Sequence, residues 1–480
     1  MAHPGDLTGR PETTGATAGP GTGRVLTALC LGLMLSMLNT SMMHIITPQI
    51  GAAMGASSLS GLQWVGDIYT LGYAALLLPG GALGNRIGRR AAFLGGVAVF
   101  AVGSLLCALA PVLAVLLVAR VIQAIGVAVM LPQTLSILVH EYPEPAARAR
   151  AVGIWAGVSS LGVAAGPVLG GVLIAIADWR AAFVLSLVLA LAALVLGYRG
   201  VPGTRHGRPE RPAAFDLPGT VLSAVWLIAL AYGLIEVSDY GWGSPQVIVA
   251  LVVAVLGAVL FCLLQARIAR RGGRPLMPLH LWRVCGFSTA NAAGLVYFLT
   301  QTGIIFFYNL YLQTYQHRSA LVAGLLFLPM TVCMAGLAPV AGRLAARFGT
   351  YPVLTWGLIV SGIGCLALFL LPHGAALPQL EWRLALFGAG VALMSSPMSN
   401  AAVSSVSADF SGTASAVHNT SRKIGSSLGV ALLGVLVHSA GSGASGFLSG
   451  LSNAMLFCAV LLFACAAAVF VFAERPARSH

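Results

Sequence analysis

The sequence predicts an all-α polytopic membrane protein: fourteen transmembrane helices, built as two six-helix parallel-repeat halves with two central helices inserted between them. Three observations predict it. The chain of 480 residues is 58% hydrophobic and only 8% charged, whereas a soluble domain carries roughly a quarter charged residues. Apolar runs of about 20 residues, the span of a bilayer's hydrocarbon core, recur along its whole length. A membrane β-barrel would show short alternating segments instead. Finally, one motif occurs twice, as Gly81-Ala-Leu83-Gly-Asn85-Arg86-Ile-Gly88 and as Gly342-Arg-Leu344-Ala-Ala-Arg347-Phe-Gly349. Both copies read G-x-L-x-x-R-x-G and both follow an inward-running span.

Taken in order, residues 1–23 are rich in Gly, Thr and Pro and are expected to form a disordered cytoplasmic N-terminus. They hold no secretory signal, so the first apolar run reads as a retained span. Spans near 25–46, 62–82, 91–110, 112–136, 151–174 and 180–198 make an N-terminal half, residues 24–200. Residues 201–283 hold a linker and the two inserted spans, 218–235 and 247–268. Spans near 287–312, 320–342, 353–371, 382–406, 420–440 and 451–473 make a C-terminal half, residues 284–473, and 474–480 form a cytoplasmic tail.

Charge sets the orientation. Arg86, Arg89 and Arg90, Arg148 and Arg150, Arg267, Arg270 and Arg271, Arg343 and Arg347, and Arg422 and Lys423 all fall on one side of this scheme. The other side receives Arg180, Arg318 and Arg383. By the positive-inside rule both termini are cytoplasmic, in the plasma membrane. The net charge of +13 invites a nucleic-acid partner, but these basic residues are spread through short loops, so none is expected. The eight cysteines show no metal-ligand spacing, so no metal site is expected. No phosphate-binding loop or hydrolase motif occurs and the single lysine is Lys423, so the chain reads as no enzyme, with no cofactor. Any energy source is an ion gradient, a membrane potential or a solute gradient.

Polar and small residues inside the spans single themselves out. Gly162, Gly166, Pro167, Gly170 and Gly171 put glycines four apart on one helix face, where another backbone approaches closely, and Pro167 favours a bend. Asp67 is the acid placed securely inside a span, where an ionised carboxylate costs about 2.5–3.5 kcal/mol on insertion scales. Leaving water favours its neutral form, so it can bind a proton on one side and release it on the other. Arg120 is the cation placed within a span and must find a partner; exchange with Asp67 would couple charge to helix position. His44 is a further titratable candidate. Gln301 and Tyr308 in span 9, with Met394 and Asn400 in span 12, mix aromatic, polar and Met character that suits amphipathic organic molecules.

Four blocks give these residues a context: Leu38-Asn39-Thr40-Ser41 through His44 to Pro48; Gln63-Trp64-Val-Gly-Asp67-Ile-Tyr69 running into Gly81 to Arg90; Arg120-Val-Ile-Gln123-Ala-Ile-Gly126; and Gly162 to Gly171. With Gly412 to Gly425 late in the chain, they resemble the major facilitator superfamily, in its fourteen-span drug:proton antiporter branch. The resemblance covers residues 24–473. It implies a monomeric, proton-coupled exporter of a drug-like small molecule, working by alternating access in the lipid bilayer. In that family the arginine matching Arg120 is implicated in proton transfer; the proton-coupling set is expected to be Asp67, Arg120, His44 and Asn39, and the cytoplasmic gate Gly81, Asn85, Arg86, Gly88, Arg89 and Arg90. Two positions depart from the pattern: Asn39 and Asn85 stand where the branch usually has acids. An uptake carrier or uniporter of the same fold, or a transport-inactive membrane sensor, remain the alternatives.

Overall fold

A computed structural model describes residues 22–55, 58–142, 144–202, 216–273, 275–371, 377–407, 410–439 and 443–472. The expectations for the N-terminal segment up to residue 21, for most of the linker and for the tail 474–480 therefore lie outside the described residues. Among the described residues the chain is helical, without strands. The long helices are α1 (Thr22–Met54), α2 (Leu59–Ile87), α3 (Arg89–Leu109), α4 (Leu113–Glu141), α5 (Pro145–Ile176), α6 (Arg180–Gly200), α7 (Leu217–Tyr240) and α8 (Pro245–Arg270). They continue as α9 (Cys285–Leu310), α10 (Ala320–Phe348), α11 (Thr350–Phe369), α12 (Leu377–Ser404), α13 (Ser411–Ser439) and α14 (Gly443–Phe472).

Ten of these helices are long and apolar enough to cross a membrane, and the bent α5 makes an eleventh. The helices outside that set, α2, α12 and α13, are 28 or 29 residues long and more polar. They carry Asp67, Ser395 and Lys423, so polarity in this bundle is concentrated where it faces other helices.

Local chemistry sets the boundaries. Ser58 caps α2 by accepting from the Gly61 N–H at 3.1 Å, and Asp216 caps α7 by accepting from Gly219 at 2.8 Å, each satisfying an orphan donor of the first turn. Gly88, at φ 91°, turns α2 into α3, and Gly349, at φ 95°, turns α10 into α11. Both are the last residue of the repeated motif, which explains the glycine there: other residues reach positive φ only at a cost.

The packing order recurs eight helices on. α1 packs on α5 and α6, α2 on α4, and α3 on α4 and α6; α9 packs on α13 and α14, α10 on α12, and α11 on α12 and α14. Buried side chains gather into clusters around Phe93, Phe100 and Met130, and around Met42, Trp179 and Phe183, among the first six helices. Another gathers around Phe307, Phe327 and Phe387 among the last six. The two bundles meet at α2 against α13 and at α5 against α10, with α7 lying on both α2 and α13. α8 presents Val249, Val255, Leu256 and Leu263, each more than half exposed, outward. Such an apolar belt is compatible with lipid as its solvent. Because lipid tails are as apolar as Leu, helix association here rests on close packing and interhelical hydrogen bonds.

Candidate functional site

The glycine block lies on α5 and serves two interfaces. A Cβ on Gly162 would come 3.1 Å from Met37 Cβ, one on Gly166 would collide with the Ser41 hydroxyl, and one on Gly170 would come 3.0 Å from Met42 Cγ, all on α1. The Ser41 hydroxyl, seated in that gap, donates to the Gly162 carbonyl at 3.3 Å. Gly171 faces the other way: a Cβ there would lie 2.7 Å from Leu321 Cα on α10, while Gly324 of α10 packs on the Pro167 carbonyl. Between Arg150–Val163 and Ala165–Ile176 the helix bends by 43°. Pro167 accounts for the site of the bend, since its ring crowds the carbonyl four residues earlier, that of Val163. A matching stripe went unread in the sequence. Gly425 and Gly429 of α13, also four apart, pack directly on the carbonyls of Leu295 and Leu299 on α9.

Asp67 is buried on the face of α2 that meets α13, where its carboxylate accepts from the Ser427 hydroxyl at 2.5 Å. One turn away, Gln63 donates to the Val430 carbonyl at 2.9 Å, a contact that requires Gly434 opposite it. Asp67 therefore sits in a hydrogen-bonded seam between the bundles. On the side toward α7, the Trp64 indole donates to Glu236 at 2.7 Å. Glu236, near the end of α7, is only 9% exposed, held inward by that bond.

Arg120 is fully buried inside the first bundle, not beside Asp67. It donates to Asn39 Oδ1 at 2.6 Å and to Gln123 Oε1 at 3.0 Å, and its guanidinium carbon lies 4.5 Å from the centroid of Tyr69. Gln123 in turn donates to Ser104 at 2.8 Å. Among the described residues Arg120 forms no ion pair. The expected Asp67–Arg120 exchange thus meets no contact, and helix geometry gives the reason. Tyr69, which covers Arg120, lies two residues from Asp67, roughly 200° round the helix.

Between the bundles lies a cavity of about 160 Å³. α1 lines it with Met37, Thr40, Ser41 and His44, α5 with Ser159 and Val163, and α9 with Tyr297, Phe298 and Gln301. Met334 of α10, Ser395 of α12, and Arg422, Lys423 and Ser426 of α13 complete much of the wall. Of the four expected lining residues, Gln301 is there. Tyr308 and Met394 are buried in the second bundle's core, and Asn400 is an exposed residue donating to Thr350 at 3.2 Å. Helical period explains this, because span 12 turns Ser395 to the cavity and Met394 away from it.

Arg422 and Lys423, counted in the sequence among the cytoplasmic basic residues at the start of the span near 420–440, are the main correction. α13 begins at Ser411, so Lys423 lies about 18 Å along it at 1.5 Å per residue, and only 8% of it is exposed. The polar first turns, Ser-Gly-Thr-Ala-Ser, read as a loop; a pair of cations followed directly by Ile-Gly-Ser-Ser in an apolar run was the available signal.

At the arginine-rich end, Arg89 donates to the Ser136 carbonyl at 3.3 Å and Arg90 to the Tyr198 carbonyl at 2.7 Å, both within the first bundle. A Cβ on Gly81 would lie 3.5 Å from Pro132 Cβ. Arg86 is the last-turn cation of α2, and the side chain of Asn85 lies outside the described ones. At the opposite end the bundles are tied. Asn309 donates to the His44 carbonyl and Gln313 to the Ile45 carbonyl at 2.8 Å, while Gly324 meets Pro167. On α1, α5 and α9 alike, the cavity-lining residues precede these ties, so the cavity lies on the arginine-rich side of a closed end.

Similarity to known proteins agrees with this architecture. The chain is 32% identical to the methylenomycin A resistance protein of Streptomyces coelicolor, over 86% of this chain and 85% of that one. It is 34% identical to the multidrug resistance protein Stp of Mycobacterium tuberculosis, over 85% and 74%. It is 32% identical to the multidrug efflux pump LfrA of Mycolicibacterium smegmatis, over 86% and 80%. In fold it resembles a crystal structure of a POT family transporter at a TM-score of 0.70 and 16% identity, covering 94% and 96%. It also resembles a bacterial homologue of the lysosomal transporter Spinster, inward-facing and occupied, at 0.65 and 18%, covering 96% and 100%. The model of the Major Facilitator Superfamily matches residues 29–430 and 290–480, and with bundles, seam and cavity all in keeping, the chain belongs to that superfamily.

Proposed function

We propose that the chain is a proton-coupled exporter of an antibiotic or other drug-like small molecule, acting by alternating access in the plasma membrane. The observation that carries this reading is the seam beside the cavity, in which a buried carboxylate joins two bundles that would have to part. Ionised, Asp67 accepts from Ser427; protonated, it becomes a donor and the bond is remade. A hydrogen bond to a charged group contributes about 1.5–3 kcal/mol and a neutral one about 0.5–1.5. Protonation therefore changes the tie by about 1 kcal/mol, within the usual range of coupling free energies. One proton moving inward supplies about 2.3 kcal/mol per 100 mV of potential.

All fourteen helices cross the membrane in this reading, six in each half and two between them, with boundaries near residues 200 and 284. The packing partners that recur eight helices on support the parallel repeat. The arginine-rich end is cytoplasmic by the positive-inside rule, with Gly81, Asn85, Arg86, Gly88, Arg89 and Arg90 at its gate. The closed ties then face outward and the cavity opens inward. The α5 bend and its glycines form the second interface on which the halves rock. Arg120, held by Asn39, keeps a fixed positive charge in the first bundle, and His44 lines the path beside it. The names of the relatives favour export over uptake.

A susceptibility panel in an efflux-deficient bacterial host tests the reading. Expression should raise the inhibitory concentration of at least one antibiotic or dye about fourfold or more and lower its accumulation, and an uncoupler should restore accumulation. An uptake carrier would raise accumulation instead, and a transport-inactive sensor would change nothing.

A further inference from the structure

The mechanism above leaves two cations unused. Arg422 and Lys423 are adjacent on α13 and both line the cavity. The Lys423 ammonium lies 4.7 Å from the centroid of the Tyr73 ring. The Arg422 guanidinium lies 4.5 Å over Phe298 and donates to Asn419 Oδ1 at 3.2 Å, while its Nε is buried without a partner. Among the described residues neither cation forms an ion pair, and the cavity wall contains no Asp or Glu. His44, facing the same space, has a buried Nδ1 without a partner. The one acid nearby along the seam, Asp67, is directed at Ser427.

Arginine stays charged in any protein environment. A buried charge without a counter-ion is costly, and intramembrane cations find partners as a rule. Both side chains line the cavity, so a counter-ion for them would sit there. Aromatic faces beside both cations leave room for a planar, bidentate acceptor at the guanidinium edge, and Tyr297, Phe298, Met37 and Met334 supply an apolar wall that accommodates varied shapes.

We propose that the cavity selects amphipathic organic anions, with a carboxylate or similar oxyanion held by Arg422 and Lys423 and the apolar body packed on Phe298 and its neighbours. This rests on reading the cavity as the cargo site of the exporter. It adds the sign of the cargo's charge, which the efflux reading leaves open.

The test is equilibrium dialysis of tritiated 4-phenylbutyrate, 4-phenylbutyramide and 4-phenylbutylamine against the full-length protein in phosphatidylcholine nanodiscs. The carboxylate should bind about tenfold more tightly than the amide, and the amine more weakly than either. Arg422→Gln and Lys423→Gln should each bring carboxylate and amide within about twofold and Lys423→Arg should keep the preference, with monodisperse elution and an unfolding temperature near that of the wild type showing that the variants are folded. Equal binding of carboxylate and amide by the wild type, or a preference surviving in the double Gln variant, would overturn the proposal. So would loss of the preference on adding phosphatidylglycerol, which would assign the cations to lipid headgroups. Failure here would leave resistance in the susceptibility panel intact; selective carboxylate binding without any resistance would sink the efflux reading alone.

Discussion

The chemistry of this chain turns on a few side chains whose neighbours decide their roles. Asp67 and Arg120 are both deeply buried, yet one looks across the bundle interface and the other into its own bundle. Asp67→Asn removes the proton while leaving an acceptor for Ser427. Its expected effect is resistance at the empty-vector level, with expression and thermal stability close to wild type. Ser427→Ala should remove the protonation-dependent tie, so it should weaken proton coupling as well as the seam, the latter by about 1.5–3 kcal/mol. Its check is a lowered unfolding temperature together with altered rates. Asn39 is one of two neutral acceptors of Arg120, with Gln123, so Asn39→Leu should destabilise by about 1.5–3 kcal/mol, because it removes a hydrogen bond to a buried charge. Thermal unfolding in detergent reads that directly.

At the scale of elements, glycine spacing does what charge does elsewhere. The α5 block was legible from its four-residue period and proline, and the structure seats Gly162, Gly166 and Gly170 on α1 while turning Gly171 to α10. That division could not be read in one dimension, because it depends on which helices come to flank α5. Gly166→Ala should be the worse of two alanine substitutions, costing about 1–3 kcal/mol through collision with Ser41, while Gly162→Ala meets only a tight contact with Met37. Comparing their unfolding temperatures and resistance levels checks the order. The helices themselves were legible because apolar runs of bilayer length have few other meanings. Tyr308 and Met394 were misplaced because aromatic and Met residues look alike in a core and in a cavity wall. Arg422 and Lys423 were misplaced because the first turns of α13 are as polar as a loop.

For the whole molecule, two bundles tied at one end and separated by a cavity on the other side of those ties describe one half of an alternating cycle. Removing the ties should shift the population toward the opposite opening. With Thr40→Cys as the reporter in a background lacking the eight free cysteines, a membrane-impermeant maleimide applied to intact cells should label the cavity slowly. Asn309→Ala with Gln313→Ala should raise that labelling severalfold. Unchanged labelling would place the closure elsewhere. The central claim is that Asp67 carries the proton exchanged for cargo. Its most direct measurement is internal pH in proteoliposomes loaded with pyranine, to which a compound identified by the susceptibility panel is added as a gradient. The wild type should move protons opposite to the compound, and Asp67→Asn should bind the compound but move none; proton movement by Asp67→Asn at the wild-type rate would contradict the account.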